Sequence, residues 1–184
     1  CDLTAAGLGH LLPRLSDTLE ELNLGYNNFS GLTAAQTANL ERLKNLKKMD
    51  LRWCDLTAAG LGHLLPHLSD TLEELGLASA NLSGLTAEQA GGLSRLNKLK
   101  KIDLGWCQFT AVALGHLLPH LSQTLEEVAL EGNNFSDLTA EQAQRFARFK
   151  NLKKMDLRWC DLTSDRLGYL LPHLSDKLEE LFLW

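Results

Sequence analysis

Apolar residues recur along this chain in one fixed pattern, LxxLxLxx(N/C/A)x(L/F). It starts at Leu19, Leu46, Leu72, Leu99, Leu125, Leu152 and Leu178, so the steps run 27, 26, 27, 26, 27 and 26 residues. Two steps make a 53-residue unit, and segments 46–75 and 152–181 are nearly identical. Met49, Val128 and Met155 replace leucine without changing the apolar character. Apolar and polar residues alternate over Leu19–Leu24, which predicts a short strand with one buried face. The segment 33–43 has apolar residues at Ala34, Ala38, Leu40 and Leu43, nearer a helical period. Such segments open with a capping box: Thr33 with Gln36, Thr86 with Gln89, Thr139 with Gln142. A second helix type starts at Thr57, Thr110 and Thr163 and meets Pro66, Pro119 or Pro172 nine residues on. Proline removes a hydrogen bond and clashes with the preceding turn, so these helices should end or kink near Leu-Leu-Pro. One strand and one helix per repeat predict a solenoid with a parallel sheet inside and helices outside. Seven strands at ~4.8 Å give a sheet roughly 30 Å wide.

Six full patterns in fixed register resemble the leucine-rich repeat family, and the resemblance covers the whole chain. Step length and a helix in every repeat look most like the ribonuclease-inhibitor-like subclass, which includes NOD-like receptor repeats. The resemblance implies an α/β horseshoe, one domain over residues 1–184, with the sheet on its concave face. It also implies that the Asn or Cys of the pattern turns inward and bonds the turn backbone. Asn27 and Asn133 would do so in alternate repeats, Cys54, Cys107 and Cys160 more weakly in the others, and Ala80 lacks the group. Neither end carries a polar cap, so the chain reads as a piece of something longer. An open edge at 178–184 invites self-association.

Composition narrows the function. Leucine makes up 44 of 184 residues, and the net charge is −5. That balance gives no global cation for nucleic acid or an anionic membrane, and no apolar run nears the ~20 residues of a membrane span. Cysteines at 1, 54, 107 and 160 recur every 53 residues. Neighbours in that series lie ~10 Å apart, beyond disulfide reach, and no CxxC pair offers a zinc site. His63 and His67, and His116 and His120, sit four apart, but proline interrupts each pair's helix and no carboxylate accompanies them locally in the sequence. No metal, cofactor or catalytic set is expected, hence no enzyme. Unpaired cysteines favour a reducing, cytoplasmic setting. Sequons at Asn28, Asn81 and Asn134 point the other way.

In the family, the positions between the leucines face out of the inner sheet. Just after the first leucine come Glu20-Glu21, Lys47-Lys48, Glu73-Glu74, Lys100-Lys101, Glu126-Glu127, Lys153-Lys154 and Glu179-Glu180. The sign alternates at every strand, which predicts a cross-strand ion ladder. Further along, one strand type carries Asp50, Arg52 and Trp53; Asp103, Gly105 and Trp106; Asp156, Arg158 and Trp159. The other type varies: Tyr26 in the first, Glu131 in the third, Phe182 and Trp184 in the last. Exposed Trp and Arg anchor protein interfaces, so these residues are the candidate surface for a protein partner. The tryptophans could instead seal the turns, and the Asp–Arg sets could pair locally. A structural scaffold without a ligand is the alternative reading.

Overall fold

The computed structural model describes residues 2–184. Cys1, first of the cysteine series, lies outside the described residues. Seven parallel strands form one sheet in chain order: β1 (Glu21–Asn23), β2 (Lys48–Asp50), β3 (Glu74–Gly76), β4 (Lys101–Asp103), β5 (Glu127–Ala129), β6 (Lys154–Asp156) and β7 (Glu180–Phe182). Register follows the repeat: Glu21 faces Lys48, Lys48 faces Glu74, and so on to Lys154 facing Glu180. The strands are shorter than the six-residue pattern, but their bonding continues past them, with the Leu24 and Tyr26 amides donating to Asp50 and Arg52 carbonyls.

The helices lie on the opposite, convex face: α1 (Ala5–Leu11), α2 (Ala34–Thr37), α3 (Ala58–Leu64), α4 (Ala87–Ala90), α5 (Ala111–Leu117), α6 (Ala140–Gln144) and α7 (Ser164–Leu170). All three capping boxes form. The prolines act as expected: α3, α5 and α7 stop before Leu-Pro and tighten into one 3-10 turn. The helix expected over 33–43 is shorter than its pattern. It is α-helical only to Thr37 and 3-10 over Ala38–Arg42. The Thr37 hydroxyl donates to the carbonyls of Ala34 and of His63 in the next repeat, but α4 tightens in the same way after Ala90, which has no hydroxyl, so the change belongs to the repeat and not to one side chain. Arginines do work the sequence pattern did not disclose. Arg42 donates to the Pro13 carbonyl at 2.5 Å and Arg148 to Leu118 at 2.9 Å, satisfying helix ends of the preceding repeat.

Leucines of the pattern fill one continuous core with Phe29, Phe109, Phe135 and Phe149. Each fully buried leucine contributes about 1.5–3 kcal/mol. Between core and sheet runs the inward Asn/Cys row. The Asn133 amide donates to the carbonyls of Leu104 (2.9 Å) and Leu130 (2.7 Å), and its oxygen accepts from the Phe109 amide (2.9 Å). Asn27 accepts from the Leu3 amide and donates to Leu24. Cys54, Cys107 and Cys160 donate to the carbonyls of Leu24, Leu77 and Leu130 at 2.9–3.2 Å. Burial pushes the Cys107 and Cys160 thiols up to about 12, so they stay protonated donors.

Ala80 is the gap in this row. It is buried, as are Leu51 and Leu56, whose carbonyl and amide match those that Asn133 serves one unit on. Ala80→Asn is expected to stabilise the fold by about 1–2 kcal/mol, or roughly 3–6 °C in thermal denaturation. Ala80→Cys, which supplies one weak donor, should give less.

Candidate functional site

The short strands turn polar side chains toward the concave face. The ion ladder forms in two rows. Lys47, Lys100 and Lys153 pair back to Glu20, Glu73 and Glu126 at 2.6–2.9 Å. Lys48, Lys101 and Lys154 pair forward to Glu74, Glu127 and Glu180 at 2.8–3.1 Å. Each pair is exposed and worth little alone, yet every ladder lysine has a glutamate partner, so the rows offer no unclaimed cation.

Beside the ladder, both arginines close onto their own strands. Arg52 binds Asp50 through Nε (3.0 Å) and Nη2 (2.6 Å), and Arg158 binds Asp156 at 2.9 and 2.5 Å. The local pairing left open from sequence is therefore present. Burial pushes the Asp50 carboxyl up, but the Arg52 hydrogen bonds and charge bring it below its ordinary value. Asp156 is only 8% exposed, so it orients Arg158 rather than presenting itself. The Arg158 guanidinium in turn lies 5.5, 5.5 and 5.2 Å from the rings of Trp159, Phe182 and Trp184. A shallow groove of about 270 Å³ runs over β1–β4, bounded by Lys48, Arg52 and Asp103.

Aromatic residues stand after β1, β2, β4, β6 and β7, while the turns after β3 and β5 carry Ser79 and Gly132. Trp53, Trp106 and Trp159 are 47–53% exposed, Tyr26 76% and Trp184 68%. Tyr26 stacks on Trp53 at 6.3 Å, while Trp106, Trp159 and Trp184 form a chain with spacings of 5.7 and 4.9 Å. Trp106 lies on Gly132, where any Cβ would fall 2.3 Å from the ring. Tyr26, Trp53, Trp106 and Trp159 all have φ between 52° and 59°. The left-handed region costs a side chain ~1–2 kcal/mol, so glycine would be the cheaper residue at each turn. Nothing in the sequence pattern disclosed this strain.

Glu131 and Asp103 are the ill-served carboxylates. Asp103 accepts only from the Gly105 amide (3.1 Å) and lies 3.9 Å from Arg52. Glu131 folds over Gly105, and its Oε2 is buried without a hydrogen-bond partner among the described residues. Burial pushes both carboxyls above their ordinary values, and the negative charges of Asp103 and Asp156 push Glu131 further. The histidines bind back to the preceding repeat: His67 to the Glu41 carboxylate, His116 to the Leu85 carbonyl, His120 to Ser94. Among the described residues, no group of three or more His, Cys, Asp or Glu is placed to hold a metal, and no helix is long and apolar enough to cross a membrane. The sequon residues Asn28, Asn81 and Asn134 are exposed.

A leucine-rich repeat profile matches residues 18–40, and a second matches residues 42–64. Protein NLRC5 of Mus musculus is 36% identical over 117 residues, 58% of this chain and 6% of that protein. Leucine-rich repeat-containing protein 14 of Xenopus laevis is 30% identical over 179 residues, 94% of this chain and 31% of that protein. The chain thus spans less than a third of either relative. Among solved structures, the leucine-rich repeat-containing protein LegL7 from Legionella pneumophila superposes with a TM-score of 0.65 at 16% identity, covering 97% of this chain and 60% of that one. The protein is a leucine-rich repeat solenoid, the architecture of a protein-interaction module. Its repeats resemble those of NOD-like receptors.

The two raised carboxyls set a pH dependence. A carboxyl whose folded value lies above its unfolded one stabilises the fold below the unfolded value and loses that contribution as pH rises through the folded value. Near pH 7.5 Glu131 is therefore a net liability. Glu131→Gln is expected to raise the thermal midpoint there by roughly 1–2 °C, and the gain should vanish near pH 4. Thermal melts of both proteins across that range measure it.

Proposed function

We propose that this solenoid recognises a protein partner on its concave face, with the aromatic row from Tyr26 to Trp184 as the anchor. The observation that carries the reading is the cost of that row. Four large aromatics stand in left-handed turns where glycine would fit more cheaply, and each leaves about half or more of its surface to solvent. The same backbone recurs at Ser79 and Gly132, so the repeat sets the turn, and what this row adds is four large exposed aromatics where small residues suffice. Trp159 and Trp184, held against Arg158, form one anchor, while Trp53 on Tyr26 forms another. Arg52 and Arg158, pre-oriented by Asp50 and Asp156, supply directed charge at low entropic cost. A rigid ladder holds the row in place, so little order is lost on binding.

The resemblance to NOD-like receptor repeats, with NLRC5 among the relatives, supports a sensing or autoinhibitory region of an innate-immune receptor acting in the cytoplasm. Catalysis is no part of this reading. The activity is rigid, pre-organised binding.

Replacing Trp53, Trp106 and Trp159 together by glycine separates recognition from packing. Relief of ~1–2 kcal/mol of backbone strain per site offsets the lost ring contacts, so the thermal midpoint should shift by only a few degrees. Partners retained by the native chain from source-matched extract, identified by mass spectrometry and then titrated, should bind the variant at least about 100-fold more weakly. A variant that unfolds assigns the tryptophans to sealing the turns, unchanged affinity moves recognition off this face, and no specific partner retained by the native chain favours the scaffold.

A further inference from the structure

The repeat contains its own template for a site that one unit leaves open. Asp-x-Arg-Trp occurs at Asp50–Trp53 and Asp156–Trp159, and in both the arginine makes a two-point bond to its aspartate. The middle unit reads Asp103-Leu-Gly-Trp106. Gly105 has removed the guanidinium and kept both groups that would hold it. Asp103 is left with a backbone amide and a distant Arg52, and Trp106 has no Lys or Arg over its ring among the described residues. The next strand then adds a negative charge where the positive one is missing. The Glu131 carboxylate lies over Gly105, with Oε1 2.6 Å from where a Cβ would sit.

We propose that the Gly105 position is the docking point for an arginine side chain of the protein partner, paired with Asp103 and Glu131 and stacked on Trp106. The inference rests on the concave-face reading and names the chemistry that reading lacks. The Asp156–Trp159 unit supplies the geometry: two N–H donors of Arg158 on one carboxylate, with the guanidinium 5.5 Å from the Trp159 ring, while Arg52 repeats the two-point bond alone. Charge complementarity points the same way, because Asp50 and Asp156 are neutralised by their own arginines while Asp103 and Glu131 are not. Glu131 folds onto Gly105 in the free protein and turns out to flank the guanidinium in the complex. A lysine fits less well. Its ammonium cannot bond a carboxylate in two-point fashion or lie flat on an indole.

The first test needs no identified partner. The 184-residue chain is titrated with N-acetyl-arginine amide, and the Gly105 amide and Trp106 indole N–H are followed by NMR. N-acetyl-lysine amide and the neutral isostere N-acetyl-citrulline amide are run in parallel. The arginine compound should give saturable shifts at both groups, the lysine compound about tenfold weaker binding, and citrulline none. Gly105→Arg, which fills the site from within, should abolish the response and raise the thermal midpoint. Asp103→Asn should weaken binding at least about tenfold and guards against a Gly105→Arg chain that fails to fold. Equal responses to arginine and lysine, or a response that survives Asp103→Asn, overturn the assignment. Partner binding that depends on the tryptophans yet is unchanged by Gly105→Arg sinks the arginine site alone. Partner binding indifferent to both sinks the concave-face reading as well.

Discussion

A strand three residues long satisfies few of its own backbone groups, and the turn that follows it points amides and carbonyls into a dry core. Every other feature of this molecule depends on how that deficit is met. An asparagine answers it in full: Asn133 serves two carbonyls and one amide in two adjacent repeats. A cysteine answers part of it, reaching one repeat back with a weak donor. The alternation of the two types makes each repeat's turn bond to its neighbour's, except at Ala80, so the solenoid is stapled from inside along most of its length. That staple lets the concave strands be short, straight and polar on their outer face.

The pattern of apolar residues carried the architecture almost completely. Strand register, the stops at Pro66, Pro119 and Pro172, the capping boxes and the inward Asn/Cys row all follow from residue chemistry repeated at fixed spacing. Repetition makes that legible, because one local rule is stated up to seven times. The 3-10 segments were not legible: they begin after Thr37, which bonds a carbonyl in the next repeat, and equally after Ala90, which has no hydroxyl. Nor were the arginines that cap helix ends across repeats, as Arg42 and Arg148 do. Contacts of this kind join residues about 26 to 30 positions apart whose types give no local signal.

The candidate surface was legible as a set of positions and not as a set of relationships. Trp53, Trp106 and Trp159 can be read from the repeat, but their left-handed backbone cannot, and it is the backbone that marks their placement as costly. Asp50 with Arg52 and Asp156 with Arg158 stand two residues apart in sequence and do pair. Glu131 over Gly105 crosses from one strand to the next, and only the folded sheet shows that a side chain lost from one repeat is replaced by charge from another.

The alternating ladder also governs how such a chain can change length. Each lysine strand lies between two glutamate strands, and the two types follow steps of 27 and 26 residues. Deleting or duplicating one repeat would set two strands of like charge side by side and put Asn turns against Asn or Cys against Cys. Removing or adding two repeats together leaves every neighbour relationship intact. Recombination among these repeats is therefore tolerated in steps of 53 residues, and the near-identity of segments 46–75 and 152–181 is the kind of trace that such paired duplication leaves.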